Sequence, residues 1–270
     1  MWGKALLALA GASVLGGCAG AVNQLPHLDA SNINLAQTKV ASAGRPPLRH
    51  TVSDDDVLAV FRSATYRIKP AATQVCIEMG VGVCAWRFVA QRDHSLNASA
   101  GLNGIVTINR GVAEYADNEE QVAMVIAHEI GHQSANHVVT GQRNQAIGAL
   151  IGGILLGAAG ALASYRSPYS ADITRSAAQS GSDIGGAIGR ISFSKEQERE
   201  ADYLSALILY RSHMDLDKAR GFLVTMARAS SHRETGMLDI HPAGPERLAA
   251  WDKAVAEIRA SNGALPKRSN

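Results

Sequence analysis

The stretch AHEIGHQSANH (127–137) constrains this chain more than any other. It closes the segment NEEQVAMVIAHEIGHQSANHVV (118–139). An acidic start and the apolar Val122, Val125 and Ile126 predict one long helix there. On a helix His128 and His132 are i and i+4, so they share a face with Cβ atoms roughly 5–6 Å apart. Both imidazoles can reach one ion at about 2.0–2.1 Å, the usual zinc–nitrogen distance. Glu129 is placed to act as base toward a water that the metal acidifies. Gly131 leaves room beside the helix backbone, which we read as space for substrate. The five letters alone are not decisive, because a polar helix rich in histidine reads the same way.

A catalytic zinc needs a third protein ligand and an open position. His137 is the nearer candidate, five residues after His132. The metzincin pattern places that histidine six residues on, after a helix-breaking glycine, and neither condition holds here. The other route is a carboxylate from a second helix. SKEQEREADYLSALILYRS (194–212) predicts such a helix, capped by Ser194. Within it Glu198 and Asp202 are i and i+4. Glu198 can ligate while Asp202 accepts the free N–H of a ligand histidine. EREAD alone reads as a solvated charged face, and HEIGH upstream reverses that preference.

The remaining chain sets the context. Lys4, the apolar run ALLALAGASVL (5–15) and LGGC resemble a bacterial lipobox, with residues 1–17 as signal peptide and Cys18 as the acylated residue. Ala19 in place of Asp favours the outer membrane, facing the periplasm. Removing residues 1–17 takes away one Lys and no acid, so the charge falls from +2 to 25 − 24 = +1. A nearly neutral chain without a basic run excludes a nucleic-acid surface. Export to an oxidising compartment makes a Cys76–Cys84 disulfide the expected state, suited to a hairpin across MGVG (79–82). Residues 18–50 lack periodicity and read as a flexible tether. Helices are predicted over 51–68 and in GFLVTMARAS and PERLAAWDKAVAEIRAS. Strands are predicted around 73–79 and 85–92, with a strand pair around Asn103-Gly104. His27, His50, His94, His213 and His232 have no motif context.

HEIGH followed by SFSKEQEREAD (192–202) resembles the zinc metallopeptidase family that includes the CAAX prenyl protease and HtpX. The resemblance covers roughly residues 50–260. It extends to LNASAGLNGIVTINRG (96–111), like the family's edge strand, and to HPAGPERL (241–248), like its HPxxxxR segment. The lipobox sets the chain apart from HtpX and the prenyl protease, and it looks closer to periplasmic BepA-like and mitochondrial Oma-type members. Residues 51–270 read as the protease domain, so a partner surface like the helical repeats of BepA-like proteins is not implied. The resemblance implies an α+β, mostly helical zincin-type metalloprotease domain over 51–270, with a small antiparallel sheet beside the HExxH helix. It implies one zinc on His128, His132 and Glu198, and Glu129 as base. His241 and Arg247 face the metal, and Asp202 and His137 support the ligands. Glu200 is then not a ligand. His241 is either an oxyanion donor or a fourth ligand in a resting state. Asn97, Ala98, Ser99 and Ala100 would hold an extended substrate, an unfolded or misfolded envelope polypeptide. A chaperone or assembly factor with a masked or structural zinc is the alternative.

The ligand set bears on the uncharged stretch between Arg143 and Arg166, part of a Gly-rich insertion (144–190). One membrane crossing there would put the histidines and Glu198 on opposite sides of a bilayer. The stretch is therefore expected as a buried hairpin, an interfacial helix or a contact between subunits in a homo-oligomer.

Overall fold

Ser53 starts the first long element of the domain. Its hydroxyl accepts from the Asp56 amide, and Asp54, Asp55 and Asp56 meet the positive end of the helix. In the computed structural model this helix, α2 (Asp54–Met79), follows α1 (Ala30–Ser42) and runs through Pro70. The structure describes residues 20–43, 49–80, 84–164, 175–176, 178–179, 193–229, 241 and 244–269. The signal peptide, Cys18 and most of the Ser/Gly-rich part of the insertion lie outside them.

The strand expected over 73–79 is the end of α2 instead. The β-branched Thr73, Val75 and Ile77 carry a strand signal. However, Ala64, Ile68, Ala71, Ala72, Val75, Cys76 and Met79 are buried at helical spacing, and packing decides. Cys76 and Cys84 are joined, with Cα atoms 5.7 Å apart. The bridge staples the end of α2 to the chain entering the sheet, not two arms of a hairpin.

Three strands follow, β1 (Arg87–Gln91), β2 (Ala98–Ala100) and β3 (Ile105–Asn109), in the order β1-β3-β2. β2 and β3 form the expected antiparallel pair, turning at Asn103 and Gly104 with φ of 56° and 76°. A Cβ on Gly104 would stand 1.8 Å from the Ala85 carbonyl oxygen, so the turn requires glycine. β1 runs parallel to β3, which makes the sheet mixed rather than antiparallel. The reason is connectivity: residues 92–104, with β2 among them, form the long crossover that a parallel pair needs.

α3 (Arg110–Tyr115) leads to α4 (Glu119–Ser134), capped by Asn118. Val122 to Gly131 are buried without interruption, so α4 is the central helix of the core. Around it pack α2, α6 (Lys195–Arg211) and α7 (Leu216–Ala229), with α8 (Pro245–Ala260) against α6. The helix expected over 118–139 is broken at Asn136, which adopts φ 60°, and α5 (His137–Ser164) begins after the break. Asparagine tolerates this left-handed conformation better than most residues.

Two further expectations are corrected. Residues 30–42 are a helix, not a tether. Asp29 and Asn32 form a capping box, Ala36 is buried, and α1 lies against α8. In the stretch 144–164, α5 is one continuous helix and not a hairpin. Leu150 and Ile154 on it are 64% and 61% exposed. No described helix is long and apolar enough to cross a membrane.

Candidate metal centre

The approach of α4 to α6 builds the centre. A Cβ on Gly131 would lie 2.9 Å from the Ala201 carbonyl oxygen and 3.1 Å from its Cα. Gly131 therefore makes room for α6, not for substrate. Ala201 lies between Glu198 and Asp202, so this close contact faces the two histidines of α4 with the two acids of α6.

His128, His132, Glu198 and His241 are buried, and each offers a ligand atom within 4.8 Å of the others. The individual separations are informative. His128 Nε2 is 3.1 Å from His132 Nε2 and 3.5 Å from Glu198 Oε2. His132 Nε2 is 3.3 Å from Glu198 Oε1. His241 Nδ1 is 2.8 Å from Glu198 Oε1 and 3.4 Å from His128 Nε2. Four ligands at about 2.0–2.1 Å from a tetrahedral ion are about 3.3–3.4 Å apart. The donor set fits such an ion.

Asp202 and Arg247 stand behind this set. Asp202 Oδ1 is 2.9 Å from His128 Nδ1, so the ring donates there and turns its Nε2 lone pair to the centre. Arg247 donates to Asp202 through Nε (2.8 Å) and Nη2 (2.7 Å), and its Nη1 is 3.0 Å from Glu198 Oε2. Arg247 thus clamps the two carboxylates in this structure. On the His132 side, His137 Nδ1 is 3.0 Å from His132 Nδ1. The break at Asn136 turns His137 back to this contact. Phe193, which the sequence did not single out, stacks on the His132 ring at 3.8 Å between centroids.

Charge follows the same division. Burial works against a proton on His128, but Asp202 and Glu198 outweigh it and push its pKa up to about 9. A metal entering here displaces that proton. For His132 burial wins and holds the pKa well below the imidazole range, despite the pull of Glu198. Burial also opposes charge on Glu198 and Asp202, yet Arg247 holds both below their ordinary values. Glu129 is buried, and neither carboxylate oxygen has a hydrogen-bond partner among the described residues. Its Oε1 is 3.5 Å from His241 Nε2. A buried carboxylate so arranged can accept a proton from a water or substrate at the centre.

Asn97, Ala98, Ser99 and Ala100 lie at the β2 edge of the sheet, alongside α4. Gln133 fixes this edge to the histidine helix. Its Nε2 donates to the carbonyls of Gly101 (3.0 Å) and Ile105 (2.7 Å) on either side of the turn.

A family model, Peptidase family M48, matches residues 64–255. The chain is 32% identical over 167 residues to the beta-barrel assembly-enhancing protease of Escherichia coli (strain K12), covering 61% of this chain and 33% of that protein. It is 30% identical over 153 residues to metalloprotease LoiP of the same organism, covering 56% of each. With metalloprotease YcaL it shares 29% identity over 152 residues, 56% of this chain and 55% of that protein. The chain thus matches a third to just over half the length of these relatives. All four donor residues and Glu129 fall inside the region matched by the family model, and the chain belongs to peptidase family M48.

Proposed function

We propose that the protein is a lipid-anchored zinc metalloendopeptidase of the cell envelope, with one zinc per chain, that cleaves unfolded or misfolded envelope polypeptides from the periplasmic face of the outer membrane. The observation that carries the reading is the spacing of the four donor atoms, with the buried Glu129 3.5 Å from the His241 ring. The metalloprotease relatives support the reaction class. The lipobox-like sequence ending at Cys18 supports the location.

In this reading His128, His132 and Glu198 hold the ion. A bound zinc supplies polarisation of a peptide carbonyl and lowers the pKa of a water. Glu129 accepts the proton of the attacking water and returns it to the leaving amine. Asp202 and Arg247 keep the ligands in place. β2 offers its free edge at Asn97–Ala100 to an extended backbone, a mode that selects unfolded segments. The exposed apolar face of α5 is the surface for a homo-oligomer.

The test uses the full chain purified with zinc. Zinc content and cleavage of unfolded casein are measured beside Glu129→Gln. One zinc per chain in both proteins is expected, with cleavage by the variant lower by roughly 10²–10⁴-fold. Equal cleavage overturns the mechanism.

One observation favours a second reading. His241 Nδ1 sits with the other three donors and completes a four-ligand set, which closes the open position a catalytic zinc needs. His241 is then a resting ligand that must swing away, and an envelope chaperone or assembly factor with a masked centre is the alternative. Increased casein cleavage by His241→Ala supports the resting ligand. Decreased cleavage assigns His241 to the oxyanion, and no change removes both roles.

A further inference from the structure

Glu200 lies on the face of α6 turned away from the donor set, and it is buried. Its Oε2 is 3.0 Å from His137 Nε2. It also accepts two backbone N–H groups from the start of the described chain, Val22 N to Oε2 at 2.8 Å and Asn23 N to Oε1 at 2.7 Å. These contacts fix a direction of donation. The carboxylate accepts, so His137 donates from Nε2. His137 Nδ1 then carries a lone pair and accepts from His132 Nδ1–H at 3.0 Å. That leaves the His132 Nε2 lone pair for the metal. Asp202 performs the same service for His128 in one step.

The segment is held in place independently. Gln24 N donates to the Lys267 carbonyl (2.7 Å) and Ser269 N to the Val22 carbonyl (2.9 Å), so the two ends of the domain pair antiparallel at Asn23 and Arg268. Arg199 Nη2 holds the Pro26 carbonyl at 2.6 Å.

We infer that Val22, Asn23 and Glu200 are positioning residues of the metal centre: the N-terminal segment holds Glu200, which through His137 sets the tautomer and orientation of His132. This rests on the metal-centre reading above. It also makes the coupling reciprocal. Any factor by which an anchored segment tightens metal binding is the factor by which metal tightens the segment.

The experiment measures zinc affinity of the full chain by competition with a coloured chelator, and unfolding of the metal-free form alongside. Loss of such a supporting partner typically weakens metal binding by about 10–100-fold. Glu200→Gln is expected near the lower end of that range. Val22→Pro, which removes one N–H donor, is expected to weaken zinc binding severalfold in the native background and not at all in the Glu200→Gln background. Gln24→Pro removes one bond of the terminal pairing, leaves both N–H donors of Glu200 in place, and is expected to weaken zinc binding less than Val22→Pro does. An equal effect of Val22→Pro in both backgrounds, or an equal effect of Gln24→Pro, overturns the inference. If Val22→Pro does not fold, amide exchange in the unaltered chain decides. Zinc is expected to slow exchange at Val22 and Asn23 in the wild type and not in Glu200→Gln, and unchanged exchange in the wild type overturns the inference. Failure of the wild type to bind zinc at all overturns the metal-centre reading itself and this inference with it.

Discussion

The two histidines of α4 face the same point but are supported differently. His128 is held by one short step. Asp202 touches it at 2.9 Å, and Arg247 fixes Asp202 with two hydrogen bonds. His132 is held through His137 and Glu200, which reaches the N-terminal segment. One support is local, buried and charged on both sides. The other has more joints and runs to an end of the domain. A local support fails only when its own residues change. A relayed one also feels whatever happens at its far end.

Gly131→Ala tests what the two sides share. The new Cβ would push α6 away at Ala201, so both supports shift together. Overpacking of this kind costs roughly 1–3 kcal/mol. Zinc affinity should fall by more than for either support alone, measured by chelator competition, with a lower melting temperature. Asp202→Asn breaks the local support. It leaves Arg247 with less compensation in a buried site, and zinc affinity is expected to fall by about 100-fold, the upper end for such partners. His137→Phe breaks the relay and keeps the bulk of the ring. About a tenfold loss is expected, with little change in the melting temperature of the metal-free protein. A larger loss for His137→Phe than for Asp202→Asn would reverse the comparison. Cys76→Ser with Cys84→Ser is the distant control. Opening that short loop costs about 2–3 kcal/mol of stability by loop entropy, while zinc affinity stays unchanged.

The same division separates what the sequence discloses from what it conceals. The pairs His128/His132 and Glu198/Asp202 are legible because helical spacing puts each on one face and the two motifs support each other, and Glu129 because it lies inside the first of them. The role of Gly131 is not, since only the facing helix shows that Ala201 fills the space. His241 is visible in sequence only as part of a motif, because nothing local ties a loop histidine to a helix more than a hundred residues away. The relay is hidden more deeply. It depends on the left-handed turn at Asn136 and on backbone N–H groups of Val22 and Asn23, which leave no side-chain signature. The N-terminal helix escapes notice for a related reason, since Ala36 is its one buried residue. The mixed sheet follows from a crossover that strand patterns do not encode.

The central claim is that His128, His132 and Glu198 hold one zinc per chain. X-ray absorption at the zinc edge of the purified full chain addresses it directly. The expected result is one zinc per chain with nitrogen and oxygen ligands at about 2.0–2.2 Å, at least two of them imidazole nitrogens, and one imidazole fewer in His132→Ala. An identical spectrum for His132→Ala, or a wild-type chain that holds no zinc, would contradict the account.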